Sequence, residues 1–433
     1  MQGRYKFLIM KNIFLLSFLI LSHWLGKAQV SYDTYFTKES LRLDFYFYGT
    51  SENTFVSLKG LKQEPFFGGS YTHLIHPNQG EYRIEVKDAK ENKIIYSKGF
   101  NTLVEEWQSS EKDKNSVQIF EIPLQVPFPK EPIIVEISRR KYSDGLFKSL
   151  YSKEILPDDY HIIKESIREY PVTTILHNGE SNKKVDLVFL PEGYTQNDIP
   201  KFISDVKRMV DYLFTIPPYD KHKQDFNIYA IEAPSLEKGT DIDGERIYKN
   251  TLFDTHFYTF DIPYYLTCPS IFKVADVAGQ LPYDQICILV NTDQYGGGGF
   301  YNFLNLVTAD DPLSDKVFVH EFGHGFIGLA DEYYYDTDMG NRYNLKLEPW
   351  EANITTLVDF QSKWKDMMDK KTPIPTPRTE KYKNKIGAFE GGGYLSKGIY
   401  SPMQDCRMKS NEPKGFCPIC TRAIERVMRL YTE

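Results

Sequence analysis

Residues 317–333 read VFVHEFGHGFIGLADEY, and this stretch restricts the fold more than any other. Val317, Val319, Phe322 and Phe326 mark a helix that belongs to a core. Ser314 is placed to cap it, with Asp315 in the first turn, where a negative charge suits the helix dipole. His320 and His324 stand one turn apart and project from the same face, so both imidazoles can reach one ion. Glu321 lies beside them. Two imidazoles and a carboxylate on so apolar a helix all require partners, and a metal ion provides them. A buried helix with hydrogen-bonded histidines would account for the Val and Phe positions but leaves those three groups unexplained. Gly323, between the histidines, weakens a helix interior unless something packs closely against it.

At 433 residues the chain has room for two or three domains. A net charge of -7 and the lack of any long Lys/Arg run argue against a nucleic-acid partner. Arg4, Lys6 and Lys11 precede an apolar run from Ile13 to Leu21, and Gly26-Lys27-Ala28 offers a small-x-small cleavage site. Residues 1–28 are therefore expected to be a signal peptide. The mature chain would begin near Gln29 and be secreted, periplasmic or at the cell surface, with no membrane span and as a monomer. No cysteine follows the apolar run to carry a lipid.

Residues 29–165 carry strand patterns. In LRLDFYFY (Leu41 to Tyr48), Leu, Leu, Phe and Phe alternate with Arg, Asp, Tyr and Tyr. EYRIEV and KIIYSKGF flank a polar KDAKEN turn, and SVQIFEIPLQV and EPIIVEISRRKY continue the series. An all-β sandwich fits this spacing. REYPVTTILHNGESNKK reads as a polar boundary, after which residues 180–433 alternate strand and helix. VDLVFL (Val185 to Leu190) suits a strand covered on both faces. Asp198 and Pro200 can start a helix whose stripe includes Phe202, Val206, Met209, Val210 and Leu213, ended by Pro217-Pro218. FNIYAIEAP, PSIFKVADVAGQL and QICILVN follow as strand, helix and strand. The run Gly296 to Gly299 lacks the Lys-Ser/Thr of a phosphate loop. It either lets backbone pass close to another element or turns the chain before an edge strand FYNFLNLVT.

HEFGHGFIGLADEY resembles the signature of the IgA-cleaving metallopeptidases, the igalysin branch of the metzincin zinc peptidases. VDLVFLPEGYT, NTDQYGGGGF, GAFEGGGYLSKGIYSP and CRMKSNEPKGFCPIC look like blocks of the same family, which would cover most of residues 180–433. The β-rich front half looks like the family's accompanying N-terminal domain. The resemblance implies an α+β two-domain protein, an all-β sandwich followed by a metzincin-like α/β zinc peptidase domain. The implied function is that of a secreted zinc-dependent endopeptidase acting on proteins or peptides; immunoglobulin as the substrate does not follow. One catalytic Zn2+ is expected, held by His320, His324 and a third ligand, with Glu321 as general base taking a proton from the attacking water. In metzincins the helix ends at a glycine and the chain then turns to bring in a His or Asp. Gly328 and Asp331 preserve that interval, which makes Asp331 the expected third ligand, although Gly328 lies one residue farther from His324 than the usual pattern has it. Glu332 is the rival, and neighbours on an extended segment point to opposite sides. The family's methionine below the metal matches Met408 in DCRMKS, with Met403 as competitor. Tyr333, Tyr394 or Tyr400 can serve as an oxyanion donor or as aromatic wall.

Of five cysteines, Cys406, Cys417 and Cys420 crowd towards the C-terminus. CPIC opens a helix with Ala423, Ile424, Val427, Met428 and Tyr431 on one stripe. A second, structural zinc would find only Cys406 nearby and no His, so a disulfide from Cys406 to Cys417 or Cys420 is expected. Two other functions compete with proteolysis. One is a secreted glycan- or protein-binding module with a vestigial zinc site. The other is a zinc amidase acting on a non-protein amide.

Overall fold

A computed structural model describes residues 30–110, 114–164, 169–335 and 342–433. The expected signal peptide and Gln29 lie outside the described residues. The front part contains two four-stranded sheets. One orders its strands Gln118–Pro129, Phe36–Gly49, Thr54–Glu64 and Ile162–Ile163; the other Ile94–Phe100, Tyr82–Asp88, Ile133–Arg140 and Phe147–Ile155. Leu41, Leu43, Phe45 and Phe47 from the first sheet meet Ile84, Val86, Val135 and Ile137 from the second in one core. Val104–Ser110 is a short helix that strand patterning does not anticipate.

The opposite face of Phe36–Gly49 is buried as well. Arg42 bonds Glu64 at 2.9 Å, Asp44 at 2.8 Å and Asp276 of the helix Ile271–Ala278 at 2.5 Å. The polar half of that strand therefore packs against the second part of the chain rather than facing water.

The second part is built on a six-stranded sheet, in the order Gly297–Phe300, Leu304–Thr308, Gln285–Val290, Val185–Glu192, Phe226–Ile231, Val172–Leu176. The four inner strands are parallel and the two edges antiparallel. Val185–Glu192 and Gln285–Val290 are buried throughout because helices cover both faces. Leu187 and Phe189 join the helices Ile199–Leu213, Ser314–Phe322 and Pro418–Thr432 in one core, whereas Val188 and Leu190 pack with the helix Ile271–Ala278 on the other face. Within the expected boundary segment, Val172–Leu176 is an edge strand of this sheet. Its polar flanks mask a run of β-branched residues that has a partner in Phe226–Ile231. Asp198 stands at the N-cap of Ile199–Leu213 with Pro200 in its first turn, as expected, whereas the cap at Ser314 is not where it was foreseen. Asp198 forms a capping box with Thr195, and Ser314 is itself the first helical residue. Among the described residues, no helix is long and apolar enough to cross a membrane.

Candidate metal centre

The helix Ser314–Phe322 does not stop at His320. It runs on into a π-helical turn, Gly323–Ile327, which contains His324, and ends at Gly328 with φ +73°. Leu329 N–H donates to Gly323 O and Gly328 N–H to His324 O, both at 3.0 Å. The Leu329 bond reaches one residue farther back than the six-to-one bond of an ordinary glycine-capped helix end. The wider turn takes up the extra residue between His324 and Gly328, so the chain still reverses onto the histidine face.

The returning segment is pinned by Asn353, whose amide bonds both Ala330 N–H and Ala330 O at 2.8 Å. Asp331 then faces the histidines. The His320 and His324 Nε2 atoms lie 3.0 Å apart, and Asp331 Oδ1 is 3.1 and 3.2 Å from them. His320 Nδ1 donates to Arg407 O at 2.9 Å, and His324 Nδ1 to Leu329 O at 2.6 Å. A carbonyl only accepts, so both Nδ1 atoms carry hydrogen and the neutral rings turn lone pairs on Nε2 inward. Two lone pairs and a carboxylate oxygen facing one another need a proton or a metal between them. Bonds of about 2.0 Å in tetrahedral geometry would give ligand separations of about 3.3 Å, close to the triangle found. These three residues fit a metal ion.

With no metal between these atoms, the electrostatics put a proton there. Burial opposes charging His324, yet Asp331 and Glu321 push its pKa up to about 9, and His320 also rises, chiefly through its bond to Asp331. Burial disfavours the Asp331 carboxylate, but the imidazoles hold its carboxyl well below the usual range. The pocket is built for positive charge. Burial also raises Glu321, opposed by the two histidines. The Tyr394 hydroxyl donates to Asp331 Oδ2, which fixes the carboxylate.

Glu332 points the other way, its Oε1 accepting from Asn353 at 3.0 Å, so the structure brings Asp331 and not Glu332 to the histidines. Met408 is the methionine under the helix: a Cβ on Gly323 would lie 2.7 Å from its Sδ. The glycine run also has its explanation. Gly297–Phe300 is itself the edge strand, and a Cβ on Gly297 or Gly299 would sit 3.0 Å from Glu321 Cγ or 2.5 Å from Glu321 O. Close approach is what needs the glycines, and the turn comes later, before Leu304.

A cleft of about 1640 Å³ opens over Glu321, walled by Gly297–Gly299, Tyr333 and Tyr394, with Glu106 and Arg139 from the front part of the chain. Tyr400 does not line it; its backbone pairs with Thr355 instead. Tyr295 also lines the cleft, inside the NTDQYGGGGF block but not singled out by it. Asn353 was equally hidden, since nothing in EANITT marks a residue that clamps a distant turn.

The expected disulfide is absent. All five cysteines are free thiols, and the sulfurs of Cys406 and Cys420 are 3.8 Å apart, against about 2.05 Å for a bonded pair.

A triangle of residues able to hold a metal, beside a glutamate and at the floor of an open cleft, suits a metal-dependent hydrolase. Comparison with family models narrows this class. The model described as IgA Peptidase M64 matches residues 173–385 and 378–428, and that for the Peptidase M64 N-terminus matches residues 31–151. The chain belongs to the IgA Peptidase M64 family, a family of metallopeptidases, which makes it a peptidase with a protein or peptide substrate. A search of curated proteins gave no match.

Proposed function

We propose that the protein is an exported, zinc-dependent endopeptidase in which His320, His324 and Asp331 hold the ion and Glu321 is the general base. The observation that carries this reading is the inward convergence of His320 Nε2, His324 Nε2 and Asp331 Oδ1, with both Nδ1 atoms tied to backbone carbonyls. Two imidazoles and one carboxylate form a ligand set suited to catalytic zinc, which keeps a fourth position open. Zinc there would supply Lewis-acid chemistry, acidifying water and polarising a peptide carbonyl.

The chain's own groups do the rest. Glu321 takes a proton from the water as its oxygen bonds to the carbonyl carbon, and returns it to the departing amine as the C–N bond breaks. Arg407 O and Leu329 O keep each imidazole in one tautomer and orientation. Tyr394 is a positioning residue, because its proton is directed at Asp331. The open cleft can admit an extended chain, which favours cleavage within a polypeptide. Export is supported by the basic and apolar pattern of residues 1–28.

The test is cleavage of an unfolded protein such as casein, with and without a chelator, beside a panel of non-protein amides and glycans. Cleavage that stops on chelation and returns with zinc supports the proposal. Turnover of the non-protein amides alone, or glycan binding without hydrolysis, would overturn it.

A further inference from the structure

We infer that Cys406, Cys417, Cys420 and Glu332 form a second metal site, structural and selective for zinc. The ligand atoms of all four residues lie within 4.8 Å of one another. They are 1%, 6%, 0% and 0% exposed. Tetrahedral zinc with bonds of about 2.3 Å to sulfur and about 2.0 Å to oxygen gives ligand separations of about 3.8 Å for S···S and about 3.5 Å for S···O. Cys406 Sγ and Cys420 Sγ are 3.8 Å apart, and Cys420 Sγ is 3.2 Å from Glu332 Oε1.

The second, independent observation is Glu332 itself. Its Oε2 is buried and accepts no hydrogen bond from the protein. The nearby Lys409 ammonium bonds the Glu332 backbone oxygen, at 3.1 Å. A buried carboxyl with a free oxygen needs a proton or a cation, and three thiols beside it favour a metal ion. A disulfide would not satisfy this cluster. It would consume two of three thiols, strand the third, and leave the carboxylate as it stands. One metal ion engages all four. Cys417 N–H donates to Cys406 Sγ at 3.2 Å, a bond that favours the thiolate a metal requires. Thiolates select soft or borderline ions, the carboxylate shifts the choice towards zinc, and four protein ligands leave no open position for chemistry.

The ligands come from three segments, and two of them also serve the first centre. Glu332 follows Asp331 directly. Cys406 precedes Arg407, whose carbonyl orients His320, and Met408, whose carbonyl accepts Glu332 N–H at 2.7 Å. Cys417 and Cys420 open the helix Pro418–Thr432. A metal here would tie the returning strand, the methionine turn and the C-terminal helix together behind the catalytic ligands. This inference does not rest on the peptidase reading, and it replaces the expectation of a single ion.

The test uses the full-length protein, purified without chelator and dialysed against metal-free buffer. Elemental analysis should find two zinc ions per chain in the wild type and one in the His320→Ala/His324→Ala variant. That variant, loaded with cobalt, should keep a thiolate-to-metal charge-transfer band, which Cys420→Ser added to it should abolish. Thiol titration of the denatured, unreduced wild type should count all five cysteines. Three thiols in place of five would mean a disulfide, and a histidine variant free of zinc would mean no second site. Either result overturns the inference, and neither requires the cysteine variant to fold.

Discussion

Met408 Sδ rests against the backbone of Gly323, so close that a methyl group there would sit 2.7 Å from the sulfur. Gly323 has ordinary helical dihedrals, φ -61° and ψ -39°, so packing and not backbone freedom is what requires glycine. Helix propensity alone would make alanine the better residue by about 1 kcal/mol. Gly323→Ala is expected instead to destabilise by about 1–3 kcal/mol, because the sulfur is confined in a filled core. Urea unfolding measures it. A more stable variant would mean that Met408 yields freely.

Tyr394→Phe removes the hydroxyl that fixes Asp331 Oδ2 and touches neither histidine ring nitrogen. Metal affinity at the His320/His324/Asp331 centre should fall about 10–100-fold, the usual cost of losing such a supporting bond. Asp331→Ala should lose far more. Zinc titration of both metal-depleted variants, monitored by a competing chelator dye, decides the order. An unchanged affinity in Tyr394→Phe would mean that the hydroxyl does nothing beyond packing.

His76 gives a prediction about acid. Its ring packs edge-on against Tyr431 of the C-terminal helix, with centroids 6.1 Å apart. Burial, helped by Lys98 and His73, pushes its pKa down to about 3. An unfolded chain takes up that proton near pH 6.5, so below this pH the unfolded state binds more protons than the folded one. Stability should be unaffected by His76 above that pH and decline as pH falls from about 6.5 towards 3. His76→Phe should flatten the part of the decline that His76 causes. Urea midpoints at pH 7 and pH 5 for both proteins test this, and identical slopes would show that His76 titrates normally in the fold.

The parts of this molecule that were legible in the sequence are those with a short-range rule. His320, Glu321 and His324 share one turn of helix, and Val185 to Leu190 announces a covered strand by composition alone. Asp331 needed the spacing of a known family. What lay hidden depends on partners far away in the chain. Val172–Leu176 is a strand because Phe226–Ile231 lies beside it. The Arg42–Asp44 face is buried because Asp276 meets it from another domain. CPIC looked short of ligands because Glu332, the fourth residue of the cluster, is contributed by the loop after the helix that carries His320 and His324. The π turn had no signature beyond one residue too many before Gly328.

Glu321 is where the account can be tested most directly. Glu321→Gln keeps the size of the side chain and removes the base, without touching any of the three atoms proposed to hold zinc. Casein cleavage by this variant should be measured alongside its zinc content. The account predicts an unchanged zinc content and a rate lower by about 10²–10⁴-fold. Cleavage near the wild-type rate with zinc still bound would contradict it, because the proton would then be moving through some other group.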